Sequence, residues 1–447
     1  MRLKTCLGCG VVVLASLWLS LAHAADKAVL FENVFVFDGR SSERGRSPVN
    51  VLVVGDTIQT ISAAPIAPPA DAELTRVAGG GRTLMPGLID AHWHSMLIGQ
   101  KLVDAMTSDV GYTNLRAAQV AEATLMRGFT TVRDMGGPVQ GLRRAIEEGR
   151  FPGPRIFPSG AMISQTGGHG DFRLPHEVPR AASQGLSHTE LTRTAAIADG
   201  ADEVLRRTRE QLMLGATQIK LMAGGGVTSI YDPIDATQYT LDEIRAAVAA
   251  AENWGTYVTV HAYTSRAVQV AIEAGVKAVE HGQLVDEETV RLMAQKGIWW
   301  SLQPFLDNEL ANPQAGANRV KQLMVAAGTD RAYALARKHA VKVAFGTDIL
   351  FSGDNGEVQN ARLVSLERWY PPGEVLQIAT GNNGALLELT GERNPYRKPL
   401  GVVAEGALAD LLLVDGDPTA DLSLIKRPES SFVLIMKNGR IYKNLLP

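Results

Sequence analysis

An α/β architecture, a (β/α)8 TIM-like barrel with a small β-sandwich domain built from both chain ends, is the fold class this 447-residue sequence predicts. Three observations predict it. Eight short apolar runs each lead into the next through helix-like stretches, β-rich segments stand at the two ends, and polar residues gather where the runs stop. Strand alternating with helix is the pattern of parallel α/β folds, and eight such units in a segment of this size point to a closed barrel.

Residues 1–24 read differently from everything after them. Arg2 and Lys4 precede the apolar stretch VVVLASLWLSLA, and Ala22-His23-Ala24 puts small residues at the cleavage positions. This is the pattern of a secretory signal peptide, so the chain is expected to be exported, periplasmic or secreted, with no membrane attachment once the leader is gone. An uncleaved anchor is the alternative, but the stretch falls short of the ~20 residues a span needs. Both cysteines, Cys6 and Cys9, lie in this leader. The mature chain expected here therefore offers no thiol for disulfides, metal or nucleophilic catalysis. Cys9 precedes the apolar region, unlike the cysteine of a lipoprotein signal. A net charge of −3 gives no footprint for nucleic acid or anionic lipid and leaves small-molecule chemistry as the expectation.

Residues 25–85 supply the first part of the sandwich, with AVLFENVFVFDG, VNVLVVGDTIQTIS and the Gly-rich turn AGGGRTLMPG reading as short strands and punctuation. Residues 398–447 supply the second part, through ADLLLVDGDP and SFVLIMKNGRIYKN. The barrel occupies 86–397. Its strands are LIDAHWH, TTVRDMG, RIFPSG, QIKLMAG, YVTVHAY, AVEHG, IWWSLQP and VAFGTDI. Between them, stretches such as LDEIRAAVAAAENWG and RAVQVAIEAG are apolar at helical spacing and closed by glycine.

Active sites in this architecture sit at the C-terminal strand ends. There His92 and His94 end the first run, Asp134 the second, His261 the fifth, His281 the sixth and Asp348 the eighth, while Lys220 lies in the fourth. Alternation along a strand points His92 and His94 to one face, about 7 Å apart along the backbone. Imidazole nitrogen with carboxylate oxygen suits a borderline divalent ion such as zinc and leaves room for water. Unrelated structural histidines are the alternative. Asp348 has two roles open, metal ligand and general base, besides the plainer one of capping the Gly346-Thr347 turn.

PGLIDAHWH, TTVRDMGG, QIKLMAGGG, VTVHAY, AVEHG and AFGTD resemble the successive strand-end motifs of the amidohydrolase superfamily, and EGALADLLLVDGDP resembles its C-terminal sheet signature. The resemblance covers nearly the whole chain after the leader. It implies two divalent metal ions: His92, His94 and Asp348 on the more buried one, His261 and His281 on the more exposed one. It also implies that Lys220 bridges them as N6-carboxylysine, a carbamate made from CO2, with a hydroxide completing the bridge. Physical chemistry supports that role. A lysine in an apolar strand pays to stay charged, and burial favours the neutral amine that can react with CO2. A lysine snorkelling at the rim is the alternative.

The fifth-strand motif separates two branches of that superfamily. The single-metal deaminases carry a glutamate soon after the histidine, whereas His261-Ala262-Tyr263-Thr264 has no acid, which favours the two-metal hydrolases. The loop SGAMISQTGGHGD, Ser159 to Asp171, is similar to that of Xaa-Pro and Xaa-Arg dipeptidases and ochratoxin-hydrolysing amidohydrolases. This implies a hydrolase that releases a C-terminal amino acid from dipeptides or N-acyl amino acids, ochratoxin A included. It gives His169 a contact with the carbonyl or carboxylate end of substrate, and Tyr231, in GGGVTSIYDP, a second contact through its hydroxyl. A structural hydrogen bond is the alternative for each. Arg133 and Arg173 are candidate cations for a substrate carboxylate, or members of ordinary salt bridges. The superfamily resemblance also implies a homo-oligomer. Two other functions stay open: a cyclic amide or amidine hydrolase similar to imidazolonepropionase, and an inactive periplasmic protein that binds a metal or ligand.

Overall fold

The computed structural model describes residues 27–178 and 185–447. The leader expected over residues 1–24, with Cys6 and Cys9, lies outside the described residues. Five strands open the chain: β1 (Lys27–Val36), β2 (Val49–Val54), β3 (Thr57–Ser62), β4 (Glu73–Ala78) and β5 (Thr83–Pro86). The middle contains β6 (Leu88–Trp93), β7 (Phe129–Asp134), β8 (Arg155–Pro158), β9 (Met162–Ser164), β10 (Ala195–Ile197), β11 (Ile219–Met222), β12 (Val258–Thr264), β13 (Ala278–Leu284), β14 (Trp299–Leu302) and β15 (Val343–Phe345). Three strands close it: β16 (Leu411–Val414), β17 (Phe432–Lys437) and β18 (Arg440–Asn444).

The two chain ends form one eight-stranded sheet in the order β18-β17-β16-β5-β1-β2-β3, with β4 also on β1. Val, Ile and Leu dominate these strands, and β-branched side chains pack well on a pleated half-buried surface. Strand β1 serves three partners, with β2 antiparallel along one side and two strands sharing the other. Its first half runs parallel to β4, and beyond the irregularity between Phe31 and Val34, Phe35 and Val36 pair with β5. A single apolar cluster then joins Phe31 and Val53 from one end of the chain to Leu413 and Leu434 from the other.

All eight runs expected in the middle are strands, and they pair in parallel. They fall into a sheet β6-β7-β8 and a sheet β10-β9-β11-β12-β13-β14-β15. They are largely apolar and buried over nearly their whole length, as strands covered on both faces must be. Helices supply the cover. In Leu241–Trp254 the buried residues Ile244, Ala247, Val248 and Ala251 recur at helical spacing, and Gly255, at φ +80°, stops the helix.

The third run differs from its expected form. Its strand stops at Pro158, and beyond Gly160, which holds φ +75°, the chain resumes as β9, outside the run. The Gln211 side chain fills the break by accepting from Ala161 N (2.9 Å), and a Cβ on Gly160 would lie 2.7 Å from the same oxygen. Among the described residues no helix is long and apolar enough to cross a membrane.

A buried ion pair fastens the end sheet to the parallel strands. Arg155, in β8, donates Nε and Nη2 to the two oxygens of Asp410 (2.7 and 3.1 Å), and Asp410 Oδ1 also accepts from Asn438 N (2.7 Å). Removing one member of a buried pair leaves a charge without compensation, which costs about 3–5 kcal/mol. Asp410→Ala is therefore expected to lower unfolding stability by about that amount in urea titrations. A loss within the ~0–1 kcal/mol typical of exposed pairs would contradict this account.

Candidate metal centre

The site begins where β6 ends. His92 and His94 are both buried, and the Nε2 atom of each lies 3.3 Å from Asp348 Oδ1. These three residues offer ligand atoms all within 4.8 Å of one another. Asp348 reaches this position because the chain after β15 comes back beside β6: Asp348 N donates to His92 O (2.8 Å), and Thr347 donates its N and Oγ1 to buried Asp90 (3.1 and 2.7 Å). Gly346 permits the approach, since a Cβ there would lie 2.4 Å from the Cβ of His92.

A layer of acceptors behind the imidazoles fixes which nitrogen faces the centre. His92 Nδ1 donates to Glu280 Oε2 (2.8 Å), while Glu280 Oε1 accepts from Arg133 Nη2 and Thr259 Oγ1 (2.6 Å each). His94 Nδ1 donates to the Gly136 carbonyl (3.2 Å), and His281 Nδ1 donates to Gln303 Oε1 (2.8 Å). An ionised carboxylate and a carbonyl can only accept, so the rings carry their protons on Nδ1. The Nε2 lone pairs of His92 and His94 are thereby left facing an aspartate oxygen. Burial holds His92 at about 4, against the pull of Asp348, so the ring is neutral at neutral pH. Burial pushes the Asp348 carboxyl up, but His92, His94 and His281 outweigh it and hold it well below 3.8. Two lone pairs and a carboxylate converging on one point repel each other unless a cation lies between them. The donor set therefore fits a divalent metal.

A second group of rings adjoins the first. The centroid of His281 lies 4.9 Å from that of His92 and 4.5 Å from that of His261. His261 Nε2 donates to the Gly225 carbonyl (3.1 Å), leaving Nδ1 as its free ligand atom. His281 has φ +74° and Asp348 has φ +49°, so two of the expected site residues sit in a backbone region that non-glycine residues rarely adopt. Lys220, in β11, stands in register with Thr259 of β12 and is buried. Burial lowers its amine to about 8, against the opposing pull of Glu280 and Asp348. His169 stacks on His261 with centroids 4.1 Å apart, and its buried Nδ1 has no hydrogen-bond partner among the described residues. Gly226 makes space for that ring, because a Cβ there would meet His169 Nδ1 at 1.9 Å.

The structure thus gathers His92, His94, Lys220, His261, His281, Asp348 and His169. Tyr231 stands apart: it is exposed, its hydroxyl donates to the Arg173 carbonyl, and it is not among the residues lining the adjacent cavity. Asp134 is engaged in ordering the β6 turn, accepting from Ser95 N (2.8 Å) and Gly136 N (3.2 Å). Both candidate arginines are committed to carboxylates, Arg133 to Glu280 (2.6 Å) and Arg173 to Asp171 (2.6 Å). Glu280 and Gln303, which orient the rings of His92 and His281, carry no motif in the sequence. An acid inside the apolar run AVEHG was the available signal for Glu280. The centre opens into a cavity of about 540 Å³ lined by His169, His261, Asp348, Tyr263, Phe305 and Arg362.

Glu280 carries a prediction about stability and its pH dependence. Burial pushes its carboxyl up, but Arg133, His92 and Lys220 outweigh this and hold it well below 4.5. A depressed carboxyl contributes stability above its unfolded pKa and loses it as pH falls through the folded value. Glu280→Gln is expected to cost about 3–5 kcal/mol near neutral pH, as for other broken buried pairs. Denaturation across a pH series is expected to show the gap from wild type narrowing only below about 4.5.

Comparison with known proteins agrees with this centre. The sequence pattern of the Amidohydrolase family matches residues 83–443. Ochratoxinase of Aspergillus niger is 32% identical over 375 residues, which span 80% of this chain and 75% of that protein. The crystal structure of A. niger ochratoxinase superposes with TM-score 0.81 at 27% identity, covering 94% of this chain and 96% of that one. A prolidase complexed with N-methylphosphonate-L-proline gives TM-score 0.83 at 33% identity, covering 94% of this chain and 100% of that one. A Xaa-Pro dipeptidase with methionine bound in its active site gives 0.78 at 29%, with the same coverage. With matching motifs, a matching fold and a histidine-aspartate centre at the strand ends, the chain belongs to the amidohydrolase family.

Proposed function

We propose that this protein is a two-metal hydrolase that cleaves an amide bond to release a C-terminal amino acid from dipeptides or N-acyl amino acids, ochratoxin A among them. The observation that carries the reading is the convergence of the His92 and His94 Nε2 atoms on Asp348 Oδ1 at 3.3 Å, with their protons held away on Nδ1. The similarity to ochratoxinase and to prolidases and dipeptidases supports the substrate class.

In this reading His92, His94 and Asp348 would hold one ion, and His261 and His281 would hold the other. Lys220 would serve both as N6-carboxylysine, formed when its neutral amine adds to CO2 and gives up a proton; its lowered pKa of about 8 favours that amine. Zinc, when bound, supplies an acidified water and polarises the scissile carbonyl. Asp348 keeps Oδ2 for the proton of the attacking water and passes it to the leaving nitrogen. His169, which lines the cavity, hydrogen-bonds the substrate carbonyl.

The reading includes closure of the parallel strands into the eight-stranded barrel over 86–397, with the sandwich over 25–85 and 398–447. It is supported by Asp348 N donating to His92 O (2.8 Å) and Thr217 N donating to Pro158 O (2.8 Å), which link the two parallel sheets at both junctions. Export by the leader and assembly of several copies belong to the same proposal.

Two tests follow. Zinc-loaded protein offered dipeptides and N-acyl amino acids is expected to release free amino acids, and Asp348→Asn is expected to lower kcat about 10²- to 10⁴-fold, the range for a lost acid-base group, while the fold persists. No release from any of these substrates at full metal loading would reject the reading. Lys220→Ala is expected to lose at least one bound zinc per chain by elemental analysis, and an added short carboxylate is expected to restore it in part. Unchanged metal content would exclude the bridging lysine.

A further inference from the structure

Arg362 is an arginine of the cavity wall whose acidic neighbours, Asp348, Asp90 and Asp354, act on it without forming an ion pair. It lies in the helix Gln359–Val364 that follows β15, half-buried, and it lines the same cavity as Asp348. Its guanidinium is held from two sides: Nη1 donates to the Thr347 carbonyl (2.9 Å), next to Asp348, and Nη2 donates to the Leu310 carbonyl (3.0 Å). Two of its five N–H donors are thereby used, and the plane of the group is fixed. Among the described residues no carboxylate stands within 4.0 Å of it, whereas Arg133 and Arg173 each hold one at 2.6 Å. A fixed cation with spare donors, facing a cavity that ends at the candidate metal centre, suits a planar anion. The walls favour one negative charge over several, because Phe305, Leu306 and Phe351 are apolar and Asp354 adds a carboxylate.

We propose that Arg362 is the carboxylate anchor of this site, pairing a carboxylate of the substrate while the scissile amide lies at the metal centre. The proposal rests on the hydrolase reading above and deepens it: the substrates are amides that carry a free carboxylate. That carboxylate belongs either to the departing amino acid or to the acyl part, and the test separates the two.

Three zinc-loaded forms, wild type, Arg362→Gln and Arg362→Lys, are assayed on three substrates: an N-benzoyl amino acid, its α-carboxamide, and an N-succinyl amino acid amide. Wild type is expected to favour the anchored carboxylate over its uncharged counterpart by about 10- to 100-fold in kcat/KM, the worth of a charge-assisted hydrogen bond. In Arg362→Gln that ratio is expected to fall at least about tenfold, through KM, with Arg362→Lys in between as a point charge lacking the fork. A fall for the N-benzoyl acid assigns the carboxylate to the leaving amino acid; a fall for the succinyl compound assigns it to the acyl part. Equal loss on all three substrates, or no loss, overturns the proposal and leaves a structural arginine. Should Arg362→Gln not fold, the ratio in Arg362→Lys decides alone. If nothing is cleaved, calorimetry with the N-benzoyl acid keeps the two ideas apart. Binding to wild type that is lost in Arg362→Gln would sink the hydrolase reading and sustain the anchor, and equal binding to both would sink the anchor.

Discussion

A buried carboxylate, Glu280, decides which nitrogen of His92 faces the site. It sits fully inside the protein, where an ionised group survives only with partners on every side. Arg133, Thr259 and His92 supply them, and they come from three different strands. Arg133 in turn donates Nε to the Ala91 carbonyl (2.7 Å) and Nη1 to the Tyr257 hydroxyl (3.0 Å), so one charged cluster locks β6, β7, β12 and β13 together beneath the ligands. Metal ligands need this kind of support, because a ring free to turn would present the wrong nitrogen. The same cluster that fixes the tautomer also fixes the register of the strands around it.

The backbone contributes strain at the positions where chemistry is expected. His281 and Asp348 both adopt positive φ, and at His281 the following Gly282, at φ +77°, shares the bend. Such conformations cost energy and persist where the surroundings over-determine them. Gln303 on His281 and the Asp90-Thr347 bonds beside Asp348 are those surroundings. Placing the bend on the candidate residue itself turns its side chain off the regular strand direction and toward its neighbours.

Much of this was legible in the sequence, for identifiable reasons. Period-two alternation puts His92 and His94 on one face, and the ends of apolar runs mark His261, His281 and Asp348. What resisted reading depends on contacts between distant segments. Strand β9 follows the third run after a turn at Gly160 that Gln211, on a later helix, fills. Glu280 looked like an ordinary polar residue in AVEHG until Arg133 was seen beside it. Arg362 lies in a stretch with no motif, and only the cavity gives it meaning. Tyr231 illustrates the reverse: its place in a glycine-rich loop suggested a substrate contact, while its hydroxyl is found on a backbone carbonyl.

The sheet shared by the two chain ends has a bearing on how the molecule comes into being. Strand β5 lies between β1 and β16, with Pro86 opposite Leu411, so one of its flanks is completed by residues made almost last. During synthesis that flank carries open N–H and C=O groups while the whole middle of the chain is still emerging. An open strand border of that kind invites pairing with another molecule. Contacts this remote in sequence also form slowly, because a long loop must first be closed. The final strands act as a clasp, and a chain cut short before Leu411 would leave its beginning, rather than its end, without a place to rest.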